Sequence, residues 1–244
     1  MPNIKLTLSY DGTNYHGFQL QQNADTVQAR LEQAIATVFK APCRITAAGR
    51  TDAGVHALGQ VVNFFADTRI PADRIPYALN SVLPADIVVT DAAFVPDGFH
   101  ARYSAKSKVY RYVIDCAPHP RVLTRHYSYY VRRPPALACM QHAAATLVGE
   151  HDFRSFMASG SPVKNTVRRL LRLDVEEREQ YIIITAEANG FLYNMVRIIA
   201  GTLLEVGWGK RDPDLRPVLA ALDRDAAGYT APAYGLVLVE VKYA

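Results

Sequence analysis

Cys43-Arg44-Ile45-Thr46-Ala47-Ala48 runs into Gly49-Arg50-Thr51-Asp52-Ala53-Gly54-Val55-His56-Ala57, and Gln60-Val61-Val62-Asn63-Phe64-Phe65 follows. The two flanks read as strands, the second rich in β-branched and aromatic residues. The middle reads as the loop that joins them, because Gly49 and Gly54 let the backbone turn and approach other groups closely. An acid, a base, a hydroxyl and an imidazole are packed into those nine residues, and Asp52 is the sole carboxylate between Glu32 and Asp67. On spacing alone an Asp in such a loop is a turn former whose carboxylate caps a neighbouring N–H. Loops fixed between rigid strands are also where reacting side chains sit.

Working outward, the strand–loop–strand unit is the middle of a longer pattern. Ile4–Tyr10 alternates as a strand, and a helix starting at Asp25, with Gln28 placed for a capping box, buries Val27, Leu31, Ile35, Val38 and Phe39. After Phe65 come a helix near Asp73–Leu83, with Ile75, Leu79 and Val82 on one face, and a strand at Asp86–Val95. The second half repeats the order: a strand at Lys108–Ile114, a helix near Pro135–Val148, strands at Thr166–Glu176 and Tyr181–Ala188, a helix at Phe191–Val206, a short helix at Asp212–Leu222 and a strand at Leu236–Tyr243. Each half is therefore β-α-β-β-α-β, the split βαβ pattern. The fold class expected is α+β: two split βαβ halves with mostly antiparallel sheets side by side, helices on one face and a central cleft. The domain division expected is 1–105 and 106–244. Residues 149–164 are polar and lack a period, so they read as a mobile loop able to close over a substrate.

Composition narrows the class. The chain has 244 residues, half of them apolar and one fifth charged, as in a soluble globular protein. It holds no apolar run of about 18 residues, the length that spans a membrane, and no leader pattern opens it, so a cytoplasmic location is expected. Cys43, Cys116 and Cys139 are scattered and have no zinc-type spacing, which implies reduced thiols and no metal site. The net charge of +4 is unevenly spread: from Ala101 to Gly149 eight basic residues face one acid, a local +7, and the remainder of the chain is −3. Six tyrosines interleave with those bases, and Lys164, Arg168, Arg169 and Arg172 form a second basic run. Bases mixed with aromatics suit phosphate contact and base stacking, with Arg132, Arg133, Arg168 and Arg169 as candidate RNA contacts, and they suit equally a solvated basic face over core tyrosines.

The string Gly-Arg-Thr-Asp-Ala-Gly-Val-His-Ala at 49–57 resembles the signature of the tRNA pseudouridine synthase A (TruA) family. Tyr10-Asp11-Gly12-Thr13-Asn14-Tyr15-His16-Gly17-Phe18-Gln19 resembles its first motif, with Phe18 where many members carry Trp. Lys108-Val109-Tyr110-Arg111-Tyr112 resembles the segment of the active-site tyrosine, Gly190-Phe191-Leu192-Tyr193-Asn194-Met195-Val196-Arg197 that of an active-site arginine, and Ala231-Pro232-Ala233-Tyr234-Gly235-Leu236 the closing motif at the base pocket. The likeness covers essentially the whole chain.

The resemblance implies an isomerase that converts uridine to pseudouridine at positions 38–40 of the tRNA anticodon arm, working as a homodimer without a cofactor. It implies Asp52 as the nucleophile, with Tyr110 and Arg197 as its catalytic partners, Leu236 packed on uracil and Arg50 holding the splayed nucleotide or its phosphate. The reaction breaks N1–C1′ and rejoins the base through C5. Asp52 would attack C6 or C1′, or take the C2′ proton. Two other readings fit part of the pattern. A non-catalytic RNA-binding module also uses split βαβ units, though the aromatic pattern of such modules is missing. A hydrolase built on Asp52 would want a second carboxylate or a metal near the loop.

Overall fold

The computed structural model describes residues 1–160 and 163–243. Ser161 and Pro162, part of the stretch read as a mobile loop, lie outside the described residues. The chain forms two compact units: Met1–Lys106 with the chain from Val237 on, and Ser107–Leu236. The sequence division ends its first domain at nearly the same place, but it leaves 237–244 with the second half. The architecture is mixed α+β with mostly antiparallel strands.

In the first unit β1 (Asn3–Tyr10) pairs antiparallel with both β3 (His56–Phe65) and β4 (Ile87–Val95), and β2 (Thr46–Ala47) adds to β3. Val237 and Leu238 of β10 (Leu236–Lys242) run parallel to His56 and Ala57. Helix α1 (Val27–Phe39) covers this sheet with Val27, Leu31 and Ile35, all buried. Each fully buried Leu or Ile contributes roughly 1.5–3 kcal/mol. Thr26 caps α1, its side chain accepting the Ala29 N–H at 3.3 Å. The cap expected at Asp25 is one residue off; Asp25 instead pairs with Arg30 at 2.6 Å. Gln28 accepts the Leu20 N–H and donates to Glu32 rather than closing a capping box. The second helix is shorter than its apolar period suggests: a 3₁₀ turn at Ala72–Arg74 precedes α2 (Ile75–Asn80), and Val82 lies exposed beyond its end.

In the second unit β5 (Ser107–Asp115) pairs with β9 (Tyr181–Ala188), β9 with β8 (Val167–Arg178) and β8 with β7 (Gly149–Asp152), all antiparallel; β6 (Tyr129–Tyr130) adds parallel to β5. Strand β7 falls where the sequence reads a loop. Its Gly-Glu-His-Asp has no apolar alternation to reveal it, and only pairing to β8 makes it a strand. Helices α3 (Leu137–Leu147) and α4 (Met195–Gly207) pack on the sheet, and α5 (Arg216–Ala221) is a short addition. α4 begins four residues later than its period implies, because Asn194 adopts the left-handed conformation, φ 60°.

Candidate active site

The Asp52 loop is fixed mainly through its backbone. Tyr10, at the end of β1, and Thr51 share a buried hydrogen bond between hydroxyls at 2.7 Å. Gln60, fully buried on β3, donates to the Gly49 carbonyl at 3.0 Å and lies 3.4 Å from the Tyr10 oxygen. Residues 12–18 strap across the loop. The Phe18 N–H donates to the Thr51 carbonyl at 3.0 Å, the Gly54 N–H to Tyr15 at 3.3 Å, and the Gly12 N–H to His56 Nδ1 at 3.0 Å. Within the loop the Val55 N–H closes a turn onto the Asp52 carbonyl at 3.1 Å. Two glycines permit this close approach. A Cβ on Gly12 would lie 2.1 Å from the Val55 carbonyl oxygen, and one on Gly17, at φ 91°, would lie 2.9 Å from that of Thr51.

This arrangement leaves Asp52 half-buried, with Arg50 and Ala53 exposed beside it. Burial pushes the Tyr10 hydroxyl up to about 12, so it remains a neutral hydrogen-bonding group at working pH. Tyr15 donates to Asp86 at 2.6 Å, and burial first, then that carboxylate, raises its pKa too. His56 is buried, with Nδ1 also 3.1 Å from Asp11 Oδ1, so it ties the 10–19 segment to the loop. Thr51, Gln60, Tyr10, Gly12 and Gly17 are thus positioning residues that sequence reading did not single out. The signal was the pair of glycines in an otherwise aromatic and polar first motif.

The second unit gathers three of the other candidates. Tyr110, buried on β5, packs edge-on against Phe191, ring centroids 5.1 Å apart. Arg197, in the first turn of α4, donates Nε to the Ala231 carbonyl and Nη1 to Asn194 Oδ1, both at 2.8 Å, while the Ala231 N–H returns to the Arg197 carbonyl at 3.1 Å. Tyr112, fully buried one alternation beyond Tyr110, donates its hydroxyl to Pro232 at 2.9 Å, and burial pushes its pKa far above the usual phenol value. Residues 231–236 are therefore pinned to both β5 and α4, and they deliver Leu236, buried, at the start of β10.

The basic candidates separate. Arg132 and Arg133 are both exposed after β6, with the Arg133 carbonyl accepting from Trp208 Nε1 at 2.7 Å. Arg168 and Arg169 are neighbours on β8 and so face opposite ways. Arg169 is exposed, whereas Arg168 is half-buried and donates to the carbonyls of Asn165 and Val167. Among the described residues no group of three or more His, Cys, Asp or Glu is arranged to hold a metal ion, and no helix is long and apolar enough to cross a membrane.

The model of the tRNA pseudouridine synthase family matches residues 7–104 and 143–244. The chain belongs to this family. A tRNA pseudouridine synthase A of Ruminiclostridium cellulolyticum is 49% identical over 245 residues, covering 100% of both chains. That of Thermoanaerobacter sp. strain X514 is 50% identical over 244 residues, again covering 100% of both, and that of Bacillus subtilis strain 168 is 48% identical over 243 residues and 98% of each. As a member of the tRNA pseudouridine synthase family the chain is an RNA pseudouridine synthase, an isomerase.

Proposed function

We propose that this isomerase acts on uridines at positions 38–40 of the tRNA anticodon arm, with Asp52 as the reacting nucleophile. The observation that carries the reading is the Asp52 loop: a half-buried carboxylate in a loop held by five hydrogen bonds, four of them to its backbone, in a chain 49% identical over its whole length to a tRNA pseudouridine synthase A. Pseudouridine formation breaks the N1–C1′ bond, turns the uracil, joins C5 to C1′ and releases the C5 proton while N1 gains one. The product has the atoms of the substrate, so no group is imported and no redox partner is needed. Attack at C6, attack at C1′ and removal of the C2′ proton all require Asp52 ionised and held still, and a fixed backbone lowers the reorganisation each would cost.

Tyr110 is proposed to stack on the target base and accept a proton, and Arg197 to supply positive charge for the anionic site. Arg50 is assigned to the nucleotide phosphate and Leu236 to the uracil face. Arg132, Arg133, Arg168 and Arg169 are assigned to the RNA backbone. A homodimer in the cytoplasm completes the proposal, since gripping a folded RNA takes more surface than one small subunit offers. The target base must leave its stack at a cost of a few kcal/mol, offset by pocket contacts and phosphate neutralisation.

The test is Asp52→Asn, which keeps the shape and removes the charge. Tritium release from tRNA labelled at uridine C5 should fall by about 10³-fold or more, while tRNA binding persists. Anticodon-arm RNA carrying 5-fluorouridine should form a stable adduct with the native protein and none with the variant. Measurable turnover by Asp52→Asn would refute the assignment of the nucleophile.

A further inference from the structure

Residues 100–104, His-Ala-Arg-Tyr-Ser, follow β4 in the first unit, and the site above makes no use of them. Their backbone is anchored from beneath. Ala101 is fully buried; its N–H donates to Asn63 Oδ1 at 2.9 Å, and its carbonyl accepts the Tyr243 hydroxyl at 2.8 Å. Asn63 also donates to Asn3 Oδ1 at 2.9 Å, and Asn3 donates to the carbonyls of Pro96 and Phe99 at 3.2 and 2.9 Å. Within the turn, His100 Nδ1 accepts the N–H groups of Arg102 and Tyr103, each at 3.2 Å, and Ser104 bonds back to His100 through both N–H and Oγ.

This anchored turn holds out two side chains. Tyr103 is 77% exposed, its ring 4.3 Å from that of His100 at 33°. The Arg102 guanidinium lies 5.7 Å from the Tyr103 ring centroid, and among the described residues no carboxylate pairs with it. A lone exposed tyrosine is ordinary. Here two buried asparagines fix the turn, and the ring lies tilted against an imidazole and within cation–π reach of a guanidinium while staying open to solvent. Its neighbourhood with the ring limits the guanidinium's freedom, so less entropy is lost when its fork of N–H donors meets the oxygens of a phosphate. An ordered, open ring is a platform on which a base or ribose stacks.

The turn is remote from Asp52. Asn63 lies seven residues along β3 from His56, which borders the loop, a distance of about 23 Å at ~3.3 Å per residue. We propose that Arg102 and Tyr103 form a second RNA contact of this enzyme, Arg102 on a phosphate and Tyr103 against a base or ribose, away from the nucleotide that reacts. The proposal rests on tRNA being the substrate.

The experiment measures Kd for full-length tRNA across a salt series, in the native protein and in Arg102→Ala, Arg102→Lys, Tyr103→Ala and Tyr103→Phe, with thermal unfolding of each. Tyr103→Ala should weaken binding about fivefold or more and Tyr103→Phe far less, because the ring does the stacking. Arg102→Ala should weaken binding and flatten the slope of log K against log salt by about 0.7–0.9. Arg102→Lys should keep the slope and lose part of the affinity. Melting temperatures should not move, since both side chains stand outside the core. Unchanged Kd and slope in both alanine variants would overturn the proposal, as would a binding loss that tracks a fall in melting temperature. Loss of these contacts in binding, with no tritium release by the native protein, would refute the catalytic reading and leave this contact standing.

Discussion

Residues 48–55 in the first unit and 228–232 in the second are both irregular, and they are held by different chemistry. The first segment is fastened chiefly by main-chain groups meeting main-chain groups, with glycines letting them meet. The second is fastened by side-chain heads on main-chain groups: the Arg197 guanidinium on the Ala231 carbonyl, the Tyr112 hydroxyl on the Pro232 carbonyl, and Thr202 Oγ1 accepting the Gly228 N–H at 2.9 Å. The contrast teaches where each segment is vulnerable. A main-chain strap tolerates many side chains but no added bulk at its glycines, whereas a side-chain clamp fails when one head group is removed.

The largest effect should come from bulk in the strap. Gly12→Ala sets a Cβ 2.1 Å from the Val55 carbonyl oxygen, a contact that only a backbone shift can relieve. Overpacking of this kind costs upwards of about 2 kcal/mol, and displacing the loop by even 1 Å should cut turnover about 100-fold. Gly98→Ala, whose Cβ meets nothing within 4 Å, is the matched control and should be silent in both unfolding and tritium release. Equal tolerance of the two substitutions would remove the distinction between strap and open loop.

Next in size is the clamp. Arg197→Met removes both hydrogen bonds to Ala231 and Asn194. Hydrogen bonds from a charged donor are each worth about 1.5–3 kcal/mol when buried, and part-exposure of this arginine discounts each to about 1 kcal/mol, roughly 2 kcal/mol for the two. Turnover should fall about 100-fold under the role proposed for Arg197. Arg197→Lys keeps the charge but not the fork, so it should be intermediate in both stability and rate. A lysine variant indistinguishable from native would show that charge alone matters at this position.

A smaller effect belongs to the buried hydroxyl pair under Asp52. Tyr10→Phe or Thr51→Val leaves one buried hydroxyl without its partner, at a cost of about 1–3 kcal/mol, and the double variant should lose less than the sum of the two. The pair also carries a pH signature. Tyr10 titrates near 10 when unfolded and near 12 when buried, so the folded state keeps the proton longer. Its contribution is complete below pH 10 and is lost as pH rises through 12, about 2–3 kcal/mol across that window. Tyr10→Phe should therefore lose less stability than the native protein between pH 10 and 12. Parallel unfolding curves for the two would refute the buried state of Tyr10.

The sequence disclosed those parts of the fold and site that local pattern controls. β1 alternates Ile4, Leu6, Leu8 and Tyr10 inward, and α1 and α4 carry continuous apolar stripes, so all three were legible. β7 was not, because nothing in Gly-Glu-His-Asp distinguishes it until β8 supplies a partner. The late start of α4 was hidden for a related reason: Leu192 is buried and in period, but the left-handed Asn194 interrupts the helix there. Asp52 itself was conspicuous. Its support was not, because Tyr10 meets Thr51 across 41 residues and Gln60 across 50, and no window of sequence displays such pairs.

The smallest effect sharpens the comparison most finely, because it sets one residue of each unit in the same conformation. Lys40 closes α1 at φ 58°, and Asn194 opens α4 at φ 60°. A left-handed residue with a Cβ costs roughly 1–2 kcal/mol that glycine does not pay, and Asn bears the conformation more easily than Lys. Lys40 is exposed, so Lys40→Gly should stabilise the protein by about 0.5–1 kcal/mol and leave tRNA turnover as it was. Asn194→Gly relieves the same backbone but removes the Oδ1 that accepts from Arg197. Its stability should change little, the two effects offsetting, while turnover falls as the guanidinium loses the anchor that Asn194 supplies. Thermal unfolding beside tritium release checks both. A gain in stability without loss of rate in Asn194→Gly would show that Asn194 is not needed to aim Arg197.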